Sequence, residues 1–130
     1  MTLKDHIQSE LVVDEESILE ANLERVKPLF DLFNDGTINI AEEYRSLSPE
    51  NRILIYLIGQ RYAFEGELIE DDSIGTQFFY ERIDRSDRSI RDYLQNLRED
   101  GLLAKPSQGT HQLVAENLPS ALERIEDDAE

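Results

Sequence analysis

Arg88, Arg91, Gln95 and Arg98 stand at helical spacing within the run Ser86 to Leu103, and they are the side chains here best suited to gripping a charged, hydrogen-bonding partner. A guanidinium is a planar fork of donors that matches phosphate oxygens or the edge of a guanine. Steps of about 100° per residue gather Ile90, Tyr93, Leu94 and Leu97 on one face, turn Arg88, Arg91 and Gln95 away from it and leave Arg98 at the border. Ser86 is a natural N-cap, and Gly101 stands where a left-handed helix stop is expected. Leu102-Leu103 then resumes an extended apolar pattern. The run predicts an amphipathic helix with an arginine stripe, followed by a strand. The competing reading is that these arginines only pair with Asp87, Asp92 and Glu99 along a solvated helix.

Other candidate chemistry is weaker. Asp31, Asp35, Gly36, Thr37, Ile38, Asn39 and Glu42 match the first, fifth, sixth, seventh, eighth, ninth and twelfth positions of a calcium-binding loop. Phe33 fills the third position, which needs an oxygen ligand, Pro28 disturbs the entering helix, and the chain has no partner loop. We therefore read a helix ending at Gly36, followed by a short strand. Glu65, Glu67, Glu70, Asp71 and Asp72 crowd together, but acid–base catalysis needs carboxylates held in unlike environments, and this run reads as an exposed loop. There is no cysteine for a disulfide or thiolate zinc site, and His6 and His111 stand alone, His6 as a surface residue and His111 at a hairpin tip. No glycine-rich phosphate loop follows a strand, and no nucleophile motif is present. No catalytic residue, metal or cofactor is expected.

Several elements must position the arginine stripe. Leu3, Ile7 and Leu11 suggest a short N-terminal helix. A second helix opens near Asp14 and runs through Ile18, Leu19, Leu23, Val26, Phe30 and Phe33, kinked or broken at Pro28. Thr37 to Ile40 alternates like a strand, and Ser48-Pro49 caps a helix from Asn51 to about Phe64 that is apolar on most sides and belongs at the centre of the core. Thr76 to Ile83 reads as a short helix, with Asp84-Arg85 turning into the Ser86 helix. Leu102 to Lys105 and Gln112 to Ala115 read as a hairpin around Pro106 to His111. A last helix starts around Asn117 to Pro119 and ends in the acidic tail Glu126 to Glu130.

Helix, turn, helix, glycine stop and hairpin in this order resemble winged helix-turn-helix DNA-binding domains, over roughly residues 49 to 115 and most specifically 76 to 103. One departure is Asp84, where many such proteins carry glycine in the turn. The resemblance implies a mainly α fold with a small β wing: an N-terminal helical extension over 1–48, the winged domain over 49–115, and a C-terminal helix and acidic tail over 116–130. It also implies sequence-specific binding of double-stranded DNA by a transcriptional regulator. Arg88, Arg91 and Gln95 then face the major groove with Arg98 beside them, Arg85, Ser86 and Ser89 meet phosphates, and Lys105, Gln108, Thr110 and His111 form the wing contact. The alternative on the same fold is an adaptor that contacts a protein partner and not DNA.

Composition opposes DNA binding at first sight. Twenty-nine acidic residues against 13 basic ones leave a formal net charge of −16, whereas phosphate neutralisation supplies most of the affinity of a free DNA-binding domain. Of the basic residues only Lys4, Lys27 and Lys105 are lysines, and this acidic, arginine-over-lysine balance with 39% apolar residues resembles proteins of salt-in halophilic archaea. At molar salt the Debye length is about 3 Å, so distributed carboxylates hardly repel a duplex and contact groups decide. Net charge therefore does not exclude DNA here. With 130 residues the chain fits one small domain, and its strongest apolar stretch, Ile53 to Ile58, is far too short for a bilayer, so a cytoplasmic protein without membrane contact is expected. Leu19, Leu23, Val26, Phe30 and Phe33 with Leu118, Leu122 and Ile125 exceed what a small winged domain covers, which predicts a homodimer through these outer helices.

Overall fold

Helix α4 (Pro49–Glu65) carries Ile53, Leu54, Ile55, Leu57 and Ile58 wholly buried, so neighbours surround it on most sides, as its all-round apolar sequence predicts. Ser48 accepts a hydrogen bond from the Asn51 backbone N–H, and Pro49 occupies the first turn, where its missing N–H costs nothing. Around this axle the computed structural model, which describes residues 2–130, is mainly helical with two small antiparallel sheets.

The first sheet replaces part of an expected helix. Helices α1 (Leu3–Glu10), α2 (Glu15–Ala21) and α3 (Leu23–Val26) are followed by a 3₁₀ turn over Lys27–Leu29, and the chain then becomes strand β1 (Phe30–Leu32), paired with β2 (Ile38–Ile40). The helix expected to run to Phe33 is therefore interrupted at Asn22 and ends at Val26, Pro28 lies in the 3₁₀ turn that follows, and no helix ends at Gly36. Val26, Phe30 and Phe33 fit a helical spacing, yet Phe30 and Leu32 fit an alternating one equally well over so short a run. Tertiary pairing decides: Phe30 lies opposite Ile40, and both are buried in the core. In the connecting turn Gly36 adopts φ +87°, and Asp35 accepts a hydrogen bond from the Thr37 N–H.

The second sheet has the order β3-β5-β4, from β3 (Ile74–Gly75), β4 (Leu103–Ala104) and β5 (Thr110–Leu113), all antiparallel. Strand β3 is too short to carry a periodic signal in the sequence. Between β3 and β4 lie α5 (Thr76–Arg82) and α6 (Asp87–Glu99), joined by a short turn in which Asp84 adopts no left-handed backbone angle. Gly101, at φ +77°, ends α6 as expected.

Helix α7 (Leu118–Ala129) runs on through the residues expected as an acidic tail. Its Leu118, Leu122 and Ile125 join Leu19, Val26, Phe30 and the α4 side chains in a single core. Most of the apolar surface that suggested an outer dimer interface is thus covered within the chain, with Leu23 and Phe33 left exposed. Helix α1 is different: the Thr2 and Asp5 capping box closes its N-terminus, but none of its residues is buried. Among the described residues no helix is long and apolar enough to cross a membrane.

Candidate nucleic-acid interface

Ser86 caps α6 by accepting from the Ser89 backbone N–H at 3.1 Å, and the two hydroxyls meet at 2.9 Å. Ile90, Leu94 and Leu97 anchor the inner face in the core, with Tyr93 packed against it. Arg88, Arg91 and Gln95 stay exposed on the outer face, and Arg98 is half-buried at its edge, as the helical spacing requires. Arg91 donates to the Tyr80 hydroxyl at 3.3 Å and Gln95 to Glu99 at 3.1 Å, while Arg85, in the turn, donates to the Asp84 carbonyl at 2.6 Å. The β4–β5 hairpin stands beside α6. Arg91, Gln95, Arg98, Lys105 and Gln108 border one open cleft of about 420 Å³ between the two.

His111 and Thr110 do not reach outward as expected. His111 is 4% exposed on the inward face of β5, with its Nε2 2.8 Å from the Thr76 hydroxyl and its ring beside Phe79. Burial, and after it the nearby Arg98 and Lys105 charges, push the imidazole down to about 4, so it is neutral at physiological pH. Alternation along β5 is the reason: residue 111 shares its face with the buried Leu113. Thr110 accepts from the Ser107 N–H at 3.1 Å and so closes the turn. The exposed part of the hairpin is Lys105 to Gln108. Thr76 and Tyr80 were missed in the sequence, because their contribution depends on packing against β5 and α6.

Ion pairing separates the cations of α6 and its flanking turn and hairpin from most others; Lys4, Arg45 and Arg52, elsewhere in the fold, likewise have no carboxylate within 4.0 Å among the described residues. Arg25, Lys27, Arg61, Arg82 and Arg124 each have a carboxylate partner. Among the described residues, Arg85, Arg88, Arg91, Arg98 and Lys105 have none within 4.0 Å. The pairing of the α6 arginines with Asp87, Asp92 and Glu99 does not form.

The other acidic clusters have structural partners. Half-buried Arg61 bridges Glu15, Glu65 and Asp72, and Asp71 accepts from the Ser73 N–H and hydroxyl, which holds its carboxyl below the usual range. The run expected as a free loop is therefore tied down at both ends. Asp31, Asp35, Asn39 and Glu42 lie along a β-hairpin and the turn after it, not in a loop between helices, and among the described residues no three His, Cys, Asp or Glu side chains gather for a metal. Compared with protein-family models, curated proteins and solved structures, the chain matches none.

Proposed function

We propose that this protein is a winged helix-turn-helix DNA-binding regulator that places α6 in the major groove and the β4–β5 hairpin on the adjoining backbone. The observation that carries the reading is the set of five unpaired cations, Arg85, Arg88, Arg91, Arg98 and Lys105, gathered on one helix and its flanking turn and hairpin in a chain of net charge −16. With 29 carboxylates available, cations that stay unpaired together on one face suit an external anion. The element order α4-β3-α5-α6-β4-β5 and the sheet order β3-β5-β4 support the winged reading, as does the alternation of a buried and an exposed face on α6. Gln95 and Gln108 add neutral donors and acceptors for base edges or sugar. The acidic remainder of the surface is compatible with this at molar salt, where fields beyond a few ångströms are screened. Such conditions fit the halophile-like composition.

Selection from random duplexes at molar potassium chloride, followed by competition binding, tests the proposal. One enriched motif is expected. Arg91→Ala should weaken it by about 1–3 kcal/mol and relax preference at one base pair, whereas Lys105→Ala should weaken all sequences alike. An inverted repeat in the motif marks binding by two copies. If nothing enriches, and Arg88→Ala and Arg91→Ala variants keep full activity in cells, the same fold is acting as a protein adaptor.

A further inference from the structure

We propose that the cleft where β2, α4 and the end of α5 meet is a second oxyanion site, built to take a phosphate group. Arg45, Arg52 and Arg82 line it with Asn39 and Tyr56, around a cavity of about 250 Å³. The three guanidiniums come from three elements: the turn after β2, the first turn of α4 and the last turn of α5. Two are anchored in the same way. Arg45 donates its Nε–H to the Ile40 carbonyl at 2.8 Å, and Arg52 donates its Nε–H to the Leu47 carbonyl at 3.1 Å. A guanidinium fixed through Nε keeps both terminal nitrogens free to donate onward. Arg82 lies 3.7 Å from the centroid of the Phe78 ring and donates to the Phe78 carbonyl at 3.3 Å.

The cleft is a second place, apart from α6 and its hairpin, where cations gather with little carboxylate pairing. Arg25, Arg61 and Arg124 each bind at least one carboxylate, but among the described residues the only carboxylate within 4.0 Å of the three cleft guanidiniums is Glu81, 3.6 Å from Arg82. Three like charges around one cavity repel each other, and an oxyanion turns that repulsion into attraction. A planar carboxylate is satisfied by one bidentate fork, whereas a phosphate offers oxygens in several directions and can meet forks arriving from separate elements. The Asn39 amide and the Tyr56 hydroxyl add neutral donors. None of these residues belongs to the α6 and hairpin surface, so the proposal does not depend on that reading. Two sources share the chemistry: a small phosphate or phosphate ester, and the backbone of a nucleic acid.

The test follows the arginine Nε–Hε NMR signals of the full chain at constant, molar ionic strength. Orthophosphate, a short DNA duplex and acetate are titrated in separate arms. Saturable shifts of the Arg45 and Arg52 signals with at least one phosphate source, and not with acetate, are expected. Orthophosphate alone identifies a small phosphate, and the duplex alone identifies a polymer backbone. Arg52→Gln should weaken the response tenfold or more, and Arg52→Lys should restore only part of it, because lysine lacks both the fork and the Nε anchor. Arg45→Gln, in an exposed turn, is the second variant should Arg52→Gln lower the melting temperature, and it carries the same expected loss. An absent response to both phosphate sources, an equal response to acetate, or full binding by both glutamine variants overturns the proposal.

Discussion

Arg91 and Leu94 are neighbours on α6 with opposite duties. Arg91 is exposed and bonded only to Tyr80, while Leu94 is 2% exposed among core side chains. Arg91→Ala should change stability by no more than about 0.5 kcal/mol, and Leu94→Ala should cost roughly 2–5 kcal/mol through the cavity it leaves; chemical denaturation of the two variants in high salt measures both. His111 gives a pH prediction. Its imidazole is pushed from 6.5 down to about 4, so between those values the unfolded chain binds a proton that the folded chain refuses. The stability this residue contributes is complete above about pH 6.5 and falls away as the pH drops towards 4, by roughly 3 kcal/mol in all. His111→Gln can keep the bond to Thr76 without titrating. The difference between the wild-type and variant melting curves across pH 7 to 4 isolates the effect from the carboxylates, and a difference that does not vary with pH refutes it.

Elements in this protein are joined by a few specific fittings. The β1–β2 hairpin turns at Gly36, whose φ is +87° and where an added Cβ would lie 2.3 Å from the Ile69 Cγ2 methyl. Gly36→Ala should therefore cost at least the roughly 1–2 kcal/mol of a left-handed alanine, with the Ile69 clash added to it. Thermal melting of that variant beside Thr37→Ala, an exposed change in the same turn, checks the point. Helix α1 is the opposite case, with a complete capping box and no buried residue. Deleting residues 3–10 should leave the melting temperature within about 2 °C of the intact chain, since helical stability in proteins comes mostly from packing an apolar face. A larger fall would mean that Leu3, Ile7 and Leu11 are covered in solution. How far the elements were legible follows the same logic: α4 and α6 have capping serines and several turns of consistent pattern, whereas β3 is two residues long and β1 sits where helix and strand periods coincide.

On the scale of the whole molecule the dominant fact is charge. Twenty-nine carboxylates against only 13 basic side chains leave a net charge of −16 on 130 residues, so the excess carboxylates repel one another at low ionic strength, and salt relieves that cost. Circular dichroism against potassium chloride should show helicity and melting temperature rising towards molar salt; full helicity and an unchanged melting temperature in dilute buffer would contradict the halophile-like reading. Bridges that cross the fold, Arg25 to Glu126 at 2.7 Å, Arg61 to Glu15 at 3.0 Å and Arg124 to Glu50, tie the N-terminal segment and α7 to the rest. They are partly exposed, so each contributes about 1 kcal/mol or less and is itself weakened by the same salt. Screening of the bulk repulsion outweighs that loss because unpaired carboxylates far outnumber the bridges.

Sequence alone determined the arginine stripe of α6, the apolar axle α4 and the acidic character of the surface, because each is written in nearest-neighbour spacing or in composition. Ser86, Asp14 and Ser48 cap their helices where their side chains demand it. Tertiary structure decided what depends on partners distant in the chain. It turned the stretch around Phe30 into a strand by setting it against Ile40, drew His111 inward onto Thr76 and Phe79, and folded Leu19 and Ile125 into the core of α4. It also assigned the charges. No spacing rule pairs Arg25 with Glu126 across the chain or leaves Arg88 without a partner, since Coulomb attraction follows distance in space and not position in sequence.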